Sequence, residues 1–205
     1  MKTIIYDIDD TLYPINRKRN IDLEKRREDF IVCKIGNDPE IVLERIKMIY
    51  GDSVDVGLER EYGISKKEYY DNVWSMEPEN YMQCDNKLRN IISLISRDFL
   101  QICLTSAPDI WARRVLEYLK IYDLFKEIKT CDSGILKPEK RAFLEWKTFE
   151  LQPSESIAVG NDYDNDLLIP KELGMTTIMV GLTDSRADFS IDEICDIQRI
   201  LEVIG

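Results

Sequence analysis

The chain has 205 residues, 44% hydrophobic and 33% charged, with a formal net charge of −11 and no histidine. This balance describes one folded domain with a modest insertion, and its acidity argues against a nucleic-acid polymer, whose phosphates need a basic surface. The absence of histidine removes Ser-His-Asp and Cys-His nucleophile pairs, most zinc hydrolase sites and histidine phosphorelays. Acid–base work then falls to carboxylates, lysines or tyrosines.

Thr3-Ile4-Ile5-Tyr6 has the length and composition of a buried parallel strand, and it ends in Asp7, Asp9 and Asp10, followed by Thr11. Carboxylates so close together repel one another, and each needs a proton or a cation. Mg²⁺, a hard ion that prefers oxygen ligands, meets that need and leaves Asp7 as candidate nucleophile and Asp9 as candidate proton carrier. The competing reading is a βα turn capped by Asp10 or Thr11.

Residues 14–82 carry no strand pattern; helical stretches are expected near 21–34, 38–50, 53–62 and 65–76. In the second, Val42, Ile46, Ile49 and Tyr50 share a face, Asp38-Pro39 starts the helix, and Gly51 stops it. The basic run Arg17, Lys18, Arg19, Lys25, Arg26 and Arg27 reads first as a solvated helix face, and otherwise as an attractor for an anionic small substrate near the site. Further strands are expected at 99–104, 127–130, 156–159 and 176–180, and helices at 85–97, 109–120 and 139–150. In 109–120, Trp111, Val115, Tyr118 and Leu119 line one face. Strands alternating with helices imply right-handed βαβ units. The expected fold class is therefore α/β, a Rossmann-like parallel sheet core with an inserted all-helical cap. The core takes 1–13 and 83–205, and the cap 14–82, since so long a gap exceeds one crossover helix.

Three further groups follow strands. Thr105-Ser106 offers hydroxyls and backbone N–H groups as a cradle for phosphate oxygens. Lys137, in Gly134-Ile135-Leu136-Lys137-Pro138, is placed before a proline-started helix to project an ammonium toward carboxylates and phosphate. Gly160-Asn161-Asp162-Tyr163-Asp164-Asn165-Asp166 gathers carboxylates and amides in the manner of a divalent-cation site.

In this order, Asp-x-Asp-x-Thr, strand-Thr/Ser, Lys and Gly-x-x-x-x-x-Asp, the motifs resemble the haloacid-dehalogenase-like hydrolase superfamily, and the insertion resembles the C1 cap of its subfamily I. Asp7–Pro14, Glu61–Trp74 and Leu104–Phe125 also resemble the pyrimidine 5′-nucleotidase-like branch. The resemblance implies that Asp7 attacks phosphorus to form an aspartyl phosphate and that Asp9 serves as acid and then base. It implies that Thr105 and Ser106 bind phosphoryl oxygens and that Lys137 holds Asp7 and the phosphate together. Mg²⁺ would be held by Asp7, the Asp9 carbonyl and the fourth motif, where Asn161 replaces the usual Asp and Asp162 or Asp166 supplies further oxygen. The implied activity is Mg²⁺-dependent hydrolysis of a small phosphorylated metabolite, with nucleoside 5′-monophosphates among the expected substrates. The alternatives are a phosphotransferase of the same superfamily or a phosphate-binding regulatory protein.

No apolar stretch approaches the roughly 18 residues of a membrane span. The five scattered cysteines fit neither a zinc cluster nor a disulfide framework, and the first strand begins directly at the N-terminus. The expectation is a cytoplasmic monomer or homodimer without a membrane or nucleic-acid partner.

Overall fold

The computed structural model describes residues 2–51 and 53–204. Among them β1 (Thr3–Tyr6), β2 (Leu100–Leu104), β3 (Glu127–Lys129), β4 (Ser156–Gly160), β5 (Thr176–Val180) and β6 (Phe189–Ile191) form one parallel sheet, ordered β3-β2-β1-β4-β5-β6. All of β1 is buried, as a central strand covered on both faces must be. Ile5 packs on one face with Ile102, Leu104, Phe143 and Trp146. Tyr6 lies on the other, its hydroxyl donating to Gln101 Oε1 (3.0 Å), while Gln101 Nε2 donates to the Ile92 carbonyl (2.9 Å). That chain satisfies polar groups that would otherwise be costly in the core.

Register fixes the site before any side chain is considered. Tyr6 is level with Cys103 on one side and Val159 on the other, and the Asp7 N–H continues the ladder to the Val159 carbonyl (2.9 Å). Asp7 therefore leaves the sheet beside Leu104 and Gly160, where the connections from β1 and β4 diverge. Such a crevice beyond the carboxyl strand ends is where open parallel sheets bind ligands.

The chain separates into two compact units, Asn16–Glu77 and the remainder. The helical unit contains α1 (Arg17–Ile35), α2 (Pro39–Tyr50), α3 (Val54–Tyr62) and α4 (Lys66–Val73). Asn16, Asp38 and Ser65 cap α1, α2 and α4 by accepting first-turn N–H groups. A Cβ on Gly57 would lie 2.5 Å from Ile46 Cγ2, so the glycine lets α3 approach α2. Ile49, expected on the inward face of α2, is 53% exposed, and that face narrows to Val42 and Ile46. Arg26 is not a solvated cation; its guanidinium donates to the carbonyls of Val73 (2.9 Å) and Asn72 (2.6 Å), tying α1 to the end of α4. Tyr69 and Tyr70 are buried in this unit, where the Tyr70 hydroxyl donates to Asp55 Oδ2 (2.8 Å).

The sheet unit adds α5 (Asn86–Ile95), α6 (Asp109–Tyr118), α7 (Lys140–Leu144), α8 (Leu168–Glu172) and α9 (Ile197–Ile204). Two sequence expectations are corrected here. The strand β6 was not foreseen, because three residues carry too little periodicity to register. The helix expected over 139–150 is limited to α7, and Pro138 lies before it rather than at its start. Other groups take the polar backbone that a longer helix would use. Lys129 Nζ donates to the carbonyls of Ala142 (2.7 Å) and Glu145, and Glu127 accepts the Lys147 N–H (3.1 Å). Burial lowers the Lys129 pKa, and its ammonium stands 4.2 Å from the centre of the Trp146 ring.

Candidate active site

Asp7 and Lys137, far apart in sequence, meet at the end of β1. Lys137 Nζ donates to Asp7 Oδ1 and to Asp166 Oδ1, both at 2.6 Å, and the three side chains are 5–9% exposed. Burial is the largest influence on Asp7 and raises its pKa; Lys137 opposes it, Asp166 and Asp9 reinforce it, and the result is about 7. Burial works to lower the Lys137 pKa, but the two carboxylates outweigh it and hold the ammonium above its ordinary range. One cation thus serves two buried carboxylates.

Ile8 to Leu12 turn away from the sheet, with the Thr11 and Leu12 N–H groups returning to the Ile8 carbonyl (3.4 and 3.0 Å) and Asp10 at φ 58°. No helix follows at once, so Asp10 and Thr11 are not helix caps. The turn aims Asp9 at α6, where Asp9 Oδ1 accepts the indole N–H of Trp111 (2.8 Å) and the Tyr13 hydroxyl. Trp111 is fully buried, and its apolar spacing marks it only as core; the polar edge that reaches Asp9 left no signal in the sequence.

The fourth motif is shaped by Asp166. Its Oδ2 accepts the backbone N–H groups of Asn161 (3.2 Å) and Asp162 (3.0 Å), while Oδ1 holds Lys137. Both oxygens are engaged within the protein, so Asp166 holds the Lys137 ammonium and the Asn161-Asp162 backbone in place. Asp162 Oδ1 accepts from the N–H groups of Asp164 (3.1 Å) and Asn165 (3.3 Å), and Oδ2 from Asn165 Nδ2 (2.7 Å). It is the N-cap of the π-helical turn Tyr163–Leu167, and an Asp followed by polar residues was the signal for such a cap. Gly160 makes this packing possible, since a Cβ there would lie 2.3 Å from Asp166 Cβ. Gly160→Ala is expected to lower stability by about 1–3 kcal/mol through overpacking, measurable as a depressed melting temperature. It should also lower activity by displacing Asp166 from Lys137.

Thr105 is buried at the end of β2, its N–H donating to the Lys129 carbonyl (3.0 Å) and its Oγ1 accepting the Ala107 N–H (3.1 Å). Ser106 is exposed beside it. Neighbouring strand ends therefore carry Asp7, Thr105-Ser106 and Asn161, as the sequence suggested, with Lys137 and Asp166 behind them.

Among the described residues no group of three carboxylate or cysteine side chains converges as a metal cluster. The donors are of another kind. Thr11 Oγ1 lies 3.1 Å from both Asp7 Oδ2 and Asn161 Oδ1 and has one proton for the two acceptors. Such a surplus of oxygen lone pairs suits a hard cation, with one formal charge fewer than an Asp at position 161 would supply.

No family model matches the chain. It is 28% identical over 129 residues to glyceraldehyde 3-phosphate phosphatase of Methanothermobacter thermautotrophicus, covering 58% of this chain and 57% of that protein. It is 24% identical to the protein of the same name from Methanopyrus kandleri, over 98% of both chains. Among solved structures, a 2-haloacid dehalogenase from Pseudomonas syringae aligns with TM-score 0.71 at 18% identity over 100% of both chains. A phosphatase from Thermococcus onnurineus aligns with TM-score 0.69 at 22% identity over 98% of both. A Bacillus subtilis hydrolase described with magnesium bound aligns at 0.62 and 16% identity over 98% of both. With its six-stranded parallel order and a carboxylate at the end of the central first strand, the chain has the haloacid-dehalogenase-like hydrolase fold.

Proposed function

We propose that this chain is a Mg²⁺-dependent phosphatase acting on a small phosphorylated metabolite through an aspartyl phosphate on Asp7. The observation that carries the reading is Asp7 at the tip of β1, clamped by Lys137 at 2.6 Å and backed by Asp166. The names of the two archaeal relatives support phosphate-ester hydrolysis and make glyceraldehyde 3-phosphate the first substrate to try, ahead of nucleoside monophosphates.

In this mechanism the Asp7 carboxylate attacks phosphorus as the bond to the leaving alkoxide breaks, and the alkoxide takes a proton from Asp9. Asp9 next removes a proton from water, which attacks phosphorus and releases inorganic phosphate and the free Asp7 carboxylate. Lys137 fixes Asp7 and offsets charge on the transferring group, while Thr105 and Ser106 donate to its oxygens. Asp7, the Asp9 carbonyl and Asn161 would hold Mg²⁺, which supplies charge neutralisation for the phosphoryl oxygens. Trp111 and Tyr13 position the Asp9 carboxylate.

Phosphate release with Mg²⁺ or with EDTA, across glyceraldehyde 3-phosphate, sugar phosphates, nucleoside monophosphates and an aryl phosphate, tests the reading. Metal-dependent release from at least one compound is expected. No release from any of them by folded, Mg²⁺-saturated protein would sink the phosphatase reading. Asn161→Asp restores a formal charge and is expected to tighten Mg²⁺ several-fold in calorimetric titration; weakening would remove residue 161 from the metal site. Trp111→Phe keeps the buried ring but deletes the donor to Asp9, and should lower kcat about tenfold with KM little changed. The cytoplasmic location and the monomer or homodimer remain part of the proposal, the second to be checked by light scattering.

A further inference from the structure

The sheet unit holds a cavity of about 400 Å³ beside the proposed site, walled largely by apolar side chains such as Leu12, Val180 and Ile194. Its volume falls in the range of small-molecule sites. Its described lining includes none of Asp7, Asp9, Thr105, Ser106 or Lys137, but Asn161, whose amide would hold Mg²⁺ in the proposed reaction, forms part of the wall. Two wall residues nevertheless touch the catalytic carboxylates: the Thr11 hydroxyl at Asp7 Oδ2 (3.1 Å) and the Tyr13 hydroxyl at Asp9 Oδ1.

The charge on its walls is one-sided. Asp10, Asp85, Asp192 and Glu193 line the cavity, and no Lys or Arg is among the described lining residues. Asp85 caps α5, and Glu193 pairs with the exposed Lys87, so part of this charge is already answered; Asp192 is exposed. A phosphate ester would meet repulsion here, whereas a cation with an apolar body would find both the field and the surface it needs.

We propose that this cavity is a second binding site, for a small organic ammonium with an apolar body, whose occupancy reaches Asp7 through Thr11 and Asp9 through Tyr13. The binding claim stands apart from the phosphatase reading; only the effect on turnover rests on it.

Phenethylammonium and 3-phenylpropionate, similar in body and opposite in charge, are the probes. Titrated calorimetrically into the whole chain, the ammonium is expected to saturate one site, and the carboxylate to bind at least about tenfold more weakly. Asp192→Lys and Leu182→Arg, both at exposed positions, should each weaken the ammonium by about tenfold or more while leaving the melting temperature of the free protein unchanged. Saturating inorganic phosphate should not displace it. Lack of saturation, equal binding by both variants, or displacement by phosphate would overturn the proposal. Where metal-dependent phosphate release has been established, the ammonium should alter kcat in wild type and not in Asp192→Lys; binding without that change would overturn the coupling while leaving the site.

Discussion

Lys137→Met is expected to cost about 3–5 kcal/mol of stability and to remove turnover with it. The ammonium lies between Asp7 Oδ1 and Asp166 Oδ1 at 2.6 Å from each, with only 5% of its side chain exposed. Methionine fills much of the same space, so the loss is chiefly one of charge. Two buried carboxylates would then face each other uncompensated, and Asp166 would lose the ammonium on Oδ1, keeping only the Asn161 and Asp162 N–H groups on Oδ2. Chemical denaturation in EDTA reads the stability, and phosphate release reads the catalysis. A fold as stable as wild type would show that the clamp is not the principal compensation for this charge.

Asp7→Asn should behave in the opposite way toward the fold. Turnover should fall by about 10⁴-fold or more, because an amide does not serve as the phosphoryl acceptor. Stability in EDTA should be maintained or increased. Burial raises the Asp7 pKa to about 7, with Lys137 offsetting only part of the effect and Asp166 and Asp9 adding to it. An isosteric amide removes a charge that the interior holds at a cost, and Lys137 keeps Asp166 as its partner. Proteins commonly give up stability at a catalytic group in this way. A melting temperature well below wild type would mean that the Asp7–Lys137 attraction outweighs the burial penalty.

The first strand was legible because a central parallel strand is apolar on both faces, so Ile4, Ile5 and Tyr6 ending at Asp7 marked its boundary. Thr105 and Lys137 were legible only through the order of the motifs, since a threonine after a strand and a lysine before a proline are ordinary alone. The contributions of Trp111 and Lys129 were hidden for a physical reason. Each looks like one thing along the chain and uses a different atom in space: Trp111 is a core ring with a polar edge on Asp9, and Lys129 a strand residue whose ammonium holds the Ala142 carbonyl. The latter contact lies on α7, which is shorter than the pattern over 139–150 suggested. The capping task of Asp162 was not legible because carboxylates at a cation site and at an N-cap have the same composition and differ only in where their oxygens point.

The place of β1 in the middle of the sheet sets the order in which this protein can be assembled on the ribosome. Its four residues are made before their neighbours, which are residues 100–103 and 156–159. Until the second of those segments emerges, β1 has one edge open, and Asp7 lacks both the Val159 carbonyl that anchors its N–H and the Asp166 side chain that shares its lysine. Contacts between such distant segments form slowly, because the loop must close before any pairing rewards it. A chain truncated before residue 156 should therefore leave the β4-facing edge of β1 unpaired and open to aggregation.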